Sequence, residues 1–262
     1  MIEQLRSIKC YMLDMDGTFY LSDHLLPGAL EFMGYLANEK LDYLFLTNNS
    51  SKSKEMYTGK IRKLGFDVNA DKIFTSGEAT SIYLKKHTIY QKIYLVGTPA
   101  LEMEFIEAGY ELTNKNPQAV VLGFDTTLTY EKIWKACDLI REGLPYVATH
   151  PDFNCPTEKG FMPDIGSFMA MIEVSTGRKA DVIIGKPYRH IVDAVVEKTG
   201  YSLDEIAMIG DRLYTDIALG KAGIKTILVL SGETKAGDLA ASEFKADIVV
   251  KDLENLLYQM EN

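Results

Sequence analysis

Apolar and polar positions alternate along this chain in short blocks of two kinds. Compact runs of aliphatic, β-branched and aromatic residues occupy 9–13, 43–46, 93–96, 119–122, 146–148, 181–184, 206–209, 226–230 and 247–250, bounded by Gly, Pro, Asn or Asp. Between them, apolar residues recur at threes and fours over 28–38, 53–64, 99–108, 130–142 and 189–199. That spacing gives a helix one buried face. Thr98 followed by Pro99 reads as an N-cap with proline at the first helical position. Strands alternating with helices over nearly the whole length predict an α/β fold with a mostly parallel sheet. No internal repeat, heptad array or low-complexity linker interrupts the pattern, so a second domain would enter as an insertion.

Composition narrows the class of partner. The 262 residues are 47% hydrophobic and 25% charged, ordinary for a globular protein. A formal net charge of -9 leaves no broad cationic face for a phosphate backbone, so nucleic acid is not expected as a partner, and an acidic surface repels anionic membrane. Cys10, Cys137 and Cys155 lie far apart with no CxxC pair, which predicts reduced thiols and no zinc site. No apolar run approaches the roughly 18 to 20 residues that span a bilayer. The opening MIEQLRSIKC mixes charges where a signal peptide would have a basic start and an apolar stretch. A cytoplasmic protein is the expectation.

The chemistry-bearing residues sit at strand ends. The run KCYML leads directly into Asp14-Met15-Asp16-Gly17-Thr18, so two carboxylates emerge together where an open α/β sheet binds its ligands. One carboxylate can attack phosphorus, while a second, protonated one can donate to the leaving oxygen and later deprotonate water. By itself this stretch could also be a polar strand terminus capping its own turn, the less favoured of the two readings. A second apolar run ends in Thr47-Asn48-Asn49, whose hydroxyl and amides can hold phosphate oxygens without adding charge. A third run precedes Gly185-Lys186-Pro187, and an ammonium there can neutralise a phosphate and a carboxylate nucleophile. A fourth closes in Gly210-Asp211 and continues to Asp216, adding hard oxygen ligands suited to magnesium. Four strand ends carrying the groups that phosphoryl transfer needs is far more specific than any one of them.

The ordered set DMDGT, TNN, GKP and GDRLYTD resembles the four motifs of the haloacid dehalogenase superfamily, and the resemblance covers essentially the whole chain. It implies a Rossmann-like parallel-sheet core with Asp14 as nucleophile and Asp16 as general acid/base. It further implies Thr47, Asn48 and Lys186 as phosphate contacts, and Mg2+ held by Asp14, the backbone carbonyl of Asp16 and Asp211, with Asp216 acting through water. Too little chain separates Asp14 from Thr47 for an extra domain, whereas Thr47 to Lys186 leaves room for one. The contents of that insertion are similar to the NagD-like, 4-nitrophenylphosphatase and pyridoxal-phosphatase branch, in which an α/β cap closes over the phosphate site. The implied organisation is a discontinuous hydrolase core, 1–79 and 181–262, with the cap at 80–180.

These readings converge on a magnesium-dependent phosphatase acting on a small-molecule phosphomonoester such as a sugar, nucleotide or related metabolite phosphate. Two alternatives use the same residues: a phosphotransferase or phosphomutase working through the same aspartyl phosphate, and a non-catalytic sensor of phosphorylated metabolites. His150 stands where the branch has asparagine in a TNPD-like stretch, which bears on substrate. Asp125, His150, Asp152 and Asn154 are candidates for the cleft-facing surface of the cap, and a homodimer formed through the cap is open to members of this branch.

Overall fold

Every run expected to be a strand from its apolar pattern is one, with ends moved by a residue or two. A computed structural model of the chain describes residues 2–157 and 160–262. The order begins with β1 (Cys10–Leu13), a small hairpin of β2 (Tyr20–Leu21) and β3 (His24–Leu25), α1 (Ala29–Asn38) and β4 (Asp42–Thr47). It continues through α2 (Lys54–Lys63), β5 (Ile73–Thr75), α3 (Ser76–His87), β6 (Lys92–Val96), α4 (Pro99–Glu107) and β7 (Glu111–Leu112). Next come β8 (Ala119–Leu122), α5 (Tyr130–Arg141), β9 (Tyr146–Ala148), a hairpin of β10 (Asn154–Thr157) and β11 (Gly160–Pro163), and α6 (Ile165–Thr176). The chain ends with β12 (Val182–Ile183), α7 (Arg189–Thr199), β13 (Ile206–Gly210), β14 (Lys225–Val229), β15 (Ile248–Val250) and α8 (Leu253–Glu261).

Contacts divide the chain into two compact units. The first comprises Met1–Thr47, Lys54–Phe74 and Val195–Asn262; the second comprises Asn48–Ser53 and Thr75–Ala194.

The first unit is built on a sheet in the order β15-β14-β13-β1-β4-β5. Strand β1 pairs in parallel with β13 on one side and β4 on the other. All four residues of β1 and all five of β13 are buried, as expected of strands covered on both faces. After β1 the chain moves outward through β4 and β5, and later returns to the opposite side of β1 through β13, β14 and β15. The reversal falls at β1, and the carboxyl ends of strands at such a switch point form a natural ligand crevice. The core beneath includes Tyr11, Phe19, Phe32, Phe45, Ile209 and Leu256.

A parallel sheet also organises the second unit, in the order β12-β9-β8-β6-β7. Its own core joins Val96, Val120, Leu122, Phe124, Ile140, Tyr146 and Ile172. Helix starts carry the caps their sequences advertise. Thr98 accepts from the Leu101 amide with Pro99 in the first turn, Thr129 accepts from Lys132, and Asp164 accepts from Ile165. Among the described residues, no helix is long and apolar enough to cross a membrane.

Candidate active site

In the first unit, residues of three of the motifs meet at the carboxyl ends of central strands. Leu13 pairs with Ile209 and with Phe45, so Asp14, Asp211 and Thr47 leave or end neighbouring strands at their carboxyl ends. The Asp14 amide still donates to the Ile209 carbonyl at 2.9 Å, which holds the residue in line with the sheet. One carboxylate oxygen from each of Asp14, Asp211 and Asp216 lies within 4.8 Å of the others. Asp211 and Asp216 are buried, while Asp14 is half-buried. Like charges this close repel by about 3 kcal/mol per pair at an effective dielectric of about 20, so the arrangement calls for a cation.

Backbone without side chains makes room for these carboxylates. Gly17, at a φ of 87°, and Gly232 both lie against Asp211, and a Cβ on either would overlap its carboxylate. Gly210 does the same for Asp216. The left-handed φ of Gly17 is what the sharp departure from β1 requires. Within this cradle the Asp211 carboxylate accepts from the Glu233 amide at 2.6 Å, and Asp216 accepts from the Arg212 amide at 3.1 Å. Ser231 donates to the Gly17 carbonyl at 2.9 Å and ties the two glycine turns together.

Arg212 supplies positive charge beside this cluster. Burial works against its guanidinium, but the Asp14 carboxylate, Tyr214, Glu233 and Asp211 outweigh it and hold its pKa above the ordinary arginine value. Its Nε lies 2.9 Å from a Glu233 carboxylate oxygen, and the Tyr214 hydroxyl donates to the other at 2.7 Å.

Asp16 is exposed at the start of the turn, forming a bridge with Tyr20, whose carbonyl accepts the Gly17 amide at 2.8 Å. Burial and then the Asp16 carboxylate push the Tyr20 hydroxyl pKa up, and the Lys60 ammonium lies 3.9 Å from that ring's centre. Thr47 ends β4 and is buried.

The second unit brings Asn48 and Lys186 together. Lys186 is 4% exposed. The Asn48 side chain accepts from the Lys186 amide at 2.8 Å and donates to the Lys186 carbonyl at 2.9 Å. The Asn48 side-chain nitrogen also donates to both Asp152 oxygens at 3.2 Å. The Asn48 side chain is thus committed to backbone and a carboxylate, a partnership that its position after a strand did not indicate.

Two of the four residues considered for a cleft-facing surface, Asp125 and His150, are interior. Asp125 is buried, paired with Lys132 at 2.7 Å and bonded to the Thr127 amide and hydroxyl. That cluster secures the turn into α5. His150 is fully buried, its Nε2 3.0 Å from Asp164 and its Nδ1 3.2 Å from the Thr149 hydroxyl. For Asp125 and His150 this is the loop and turn chemistry that polar residues beside strand ends commonly supply. Asp152 is half-buried, and Asn154 is exposed at the start of β10.

Sequence reasoning passed over Arg212, Ser231, Gly232 and Glu233. A signal was present: β14 runs into Leu230-Ser231-Gly232-Glu233-Thr234, an apolar strand ending in small and polar residues like the other four.

Comparison with known proteins places this geometry. A family model described as haloacid dehalogenase-like hydrolase matches residues 11–111, and a second, HAD-hydrolase-like model matches 183–256. The acid sugar phosphatase of Staphylococcus epidermidis is 33% identical over 259 residues, covering 98% of this chain and 100% of that protein. The chain belongs to the haloacid dehalogenase-like hydrolases, in their NagD-like phosphatase branch. Among solved structures similar to this hydrolase, the 4-nitrophenylphosphatase of Thermotoga maritima superposes with a TM-score of 0.94 at 50% identity, covering 98% of this chain and 99% of that one. NagD from E. coli K-12 superposes with a TM-score of 0.88 at 32% identity, covering 94% of this chain and 97% of that one.

Proposed function

We propose that this hydrolase is a magnesium-dependent phosphatase that cleaves small phosphomonoesters by way of a phosphoryl group carried on Asp14. The observation that carries the reading is the convergence of Asp14, Asp211 and Asp216 oxygens within 4.8 Å at the strand ends. The names of its relatives support the class: one is an acid sugar phosphatase and another a 4-nitrophenylphosphatase. With this reading goes a division into a hydrolase core of about 1–79 and 181–262 and a cap of about 80–180.

The donors fit a small divalent cation. All three are hard carboxylate oxygens, and the two glycines at Asp211 keep side chains out of its surroundings. Asp14 and Asp211 would hold the ion with the Asp16 backbone carbonyl, and Asp216 would act through water. When bound, the ion supplies charge neutralisation for phosphate and nucleophile.

The chain's own residues then divide the reaction in two. A carboxylate oxygen of Asp14 forms a bond to phosphorus as the ester oxygen departs, taking a proton from Asp16. Asp16, now a carboxylate, removes a proton from water as the water oxygen attacks phosphorus. Inorganic phosphate leaves and the Asp14 carboxylate and Asp16 acid are restored. Thr47 donates to phosphate oxygens, and Lys186 offsets their charge.

The test is phosphate release from 4-nitrophenyl phosphate and a panel of sugar and other metabolite phosphates, with magnesium or with chelator. Magnesium-dependent release from panel members supports the reading. No release from any of them by folded protein overturns it.

Gly232→Ala checks the metal assignment without touching a charged group. The added methyl must push the Asp211 carboxylate aside. The magnesium concentration for half-maximal activity is expected to rise about tenfold or more, the scale on which groups orienting a ligand act. A magnesium titration of activity, with circular dichroism to confirm the fold, gives the answer.

A further inference from the structure

The Asn48 side chain brackets the backbone of one residue, Lys186. Its oxygen receives the Lys186 N–H and its nitrogen donates to the Lys186 C=O, at 2.8 and 2.9 Å. The nitrogen's remaining hydrogen points to the Asp152 carboxylate, 3.2 Å from both oxygens. These contacts agree on one orientation of the amide. Rotated by half a turn, its oxygen would face the Lys186 carbonyl and the Asp152 carboxylate, acceptor against acceptors. Asp152 therefore reinforces the orientation that the Lys186 N–H and C=O require, and Asn48 in turn holds the Lys186 backbone.

The surrounding backbone is shaped for this contact. A Cβ on Gly185 would lie 2.6 Å from the Asn48 side-chain oxygen and 2.8 Å from the Thr149 carbonyl. Glycine there lets the asparagine lie against the main chain, while the Gly185 amide donates to Thr149 at 2.8 Å. From the other side, the Ser76 hydroxyl donates to the Asn48 carbonyl. Lys186 is thus fixed at its backbone by a side chain that is itself fixed at both ends, although its ammonium sits on a flexible four-carbon stem.

We propose that Asp152, acting through Asn48, is a positioning residue for the Lys186 ammonium and so for phosphate affinity. The inference rests on the reading of Lys186 as the phosphate's cation. Asp152 touches neither phosphate nor water in this role. Its effect passes entirely through Asn48, and a residue acting so must become silent once the lysine is removed.

The experiment measures kcat/KM with 4-nitrophenyl phosphate and the inhibition constant of inorganic phosphate for the native protein, Asp152→Ala, Asp152→Asn, Lys186→Ala and the Asp152→Ala/Lys186→Ala pair. Asp152→Ala is expected to weaken phosphate inhibition and lower kcat/KM by about ten- to a hundredfold. Asp152→Asn, which keeps an acceptor for the Asn48 amide, should restore most of both. In the Lys186→Ala background, Asp152→Ala should change neither. Asp152→Ser, whose hydroxyl is too short to reach Asn48, gives the same reading should Asp152→Ala not fold. A folded Asp152→Ala or Asp152→Ser protein with native phosphate inhibition overturns the proposal, and so does a full loss added on top of Lys186→Ala. If Lys186→Ala itself retains native kinetics, the assignment of the lysine is what fails.

Discussion

Asp14→Asn is expected to lose phosphate release by at least about a thousandfold, the scale seen when an attacking group is removed, while remaining folded. The carboxamide has the shape of the carboxylate, and the strand feeding it is unaffected: β1 is buried along its length and the residue 14 amide still has the Ile209 carbonyl. What disappears is the oxygen that attacks phosphorus. The loss should fall on kcat, with KM changed little, because the other proposed phosphate contacts, Thr47 and Lys186, are untouched. Steady-state kinetics with 4-nitrophenyl phosphate, alongside a thermal melt, separates this outcome from unfolding. A variant that keeps a tenth of native turnover would assign the attack elsewhere.

Asp211→Asn should separate stability from activity in opposite directions. Its carboxylate is buried, one oxygen within 4.8 Å of oxygens of Asp14 and Asp216, with the Arg212 guanidinium beside the cluster. Removing one of three crowded negative charges relieves repulsion. The metal-free variant is therefore expected to be more stable than the metal-free native protein, by about 1 kcal/mol, typical of substitutions that relieve a strained functional site. With magnesium present the order reverses. The native protein gains about 2.7 kcal/mol at a hundredfold excess over its dissociation constant, whereas the variant gains little. Activity should fall at least about a hundredfold and recover only partly at high magnesium. Melting curves with magnesium and with chelator read both halves; a variant stabilised by magnesium as strongly as the native protein would remove Asp211 from the metal site.

Much of this arrangement was legible because the relevant signals are local. A strand covered on both faces must be apolar throughout, so β1, β4, β8 and β13 stand out from their surroundings, and the polar residues that follow mark their carboxyl ends. Helices α3 and α6, which the sequence reading did not mark, lack that contrast. In α6, Ile165, Gly166 and Ile172 are buried while Met171 and Val174 are exposed, so apolar residues occupy both faces and no stripe appears. Helix α3 opens with Ser-Gly and carries Thr and Ser in its interior, residues that favour turns, yet its Thr75 cap and packing make it helical. Strands β5 and β7 are too short to show a period.

The acids that converge were marked in the sequence, and the hydrogen-bond partnership of Asn48 was not. Asp14, Asp211 and Asp216 declared themselves by residue type and strand position. That Asn48 spends its amide on Lys186 and Asp152 depends on residues 104 and 138 positions away in the chain. No local pattern encodes such a contact. For the same reason His150, which departs from the branch pattern, drew attention as a substrate contact, although its ring is spent on Asp164 and Thr149 in the interior. The glycines at 17, 210 and 232 are the instructive middle case. Each stands in the sequence at or just after the end of an apolar run, but only the fold reveals that what it admits is a carboxylate.

The most direct measurement is mass spectrometry of the native protein quenched with acid during turnover of a phosphomonoester. A phosphoryl group should appear on the peptide containing Asp14, be released by hydroxylamine as an acyl phosphate is, and be absent from Asp14→Asn. Steady phosphate release with no phosphorylated peptide at any quench time, or a phosphoryl group found on another residue, would contradict attack by Asp14.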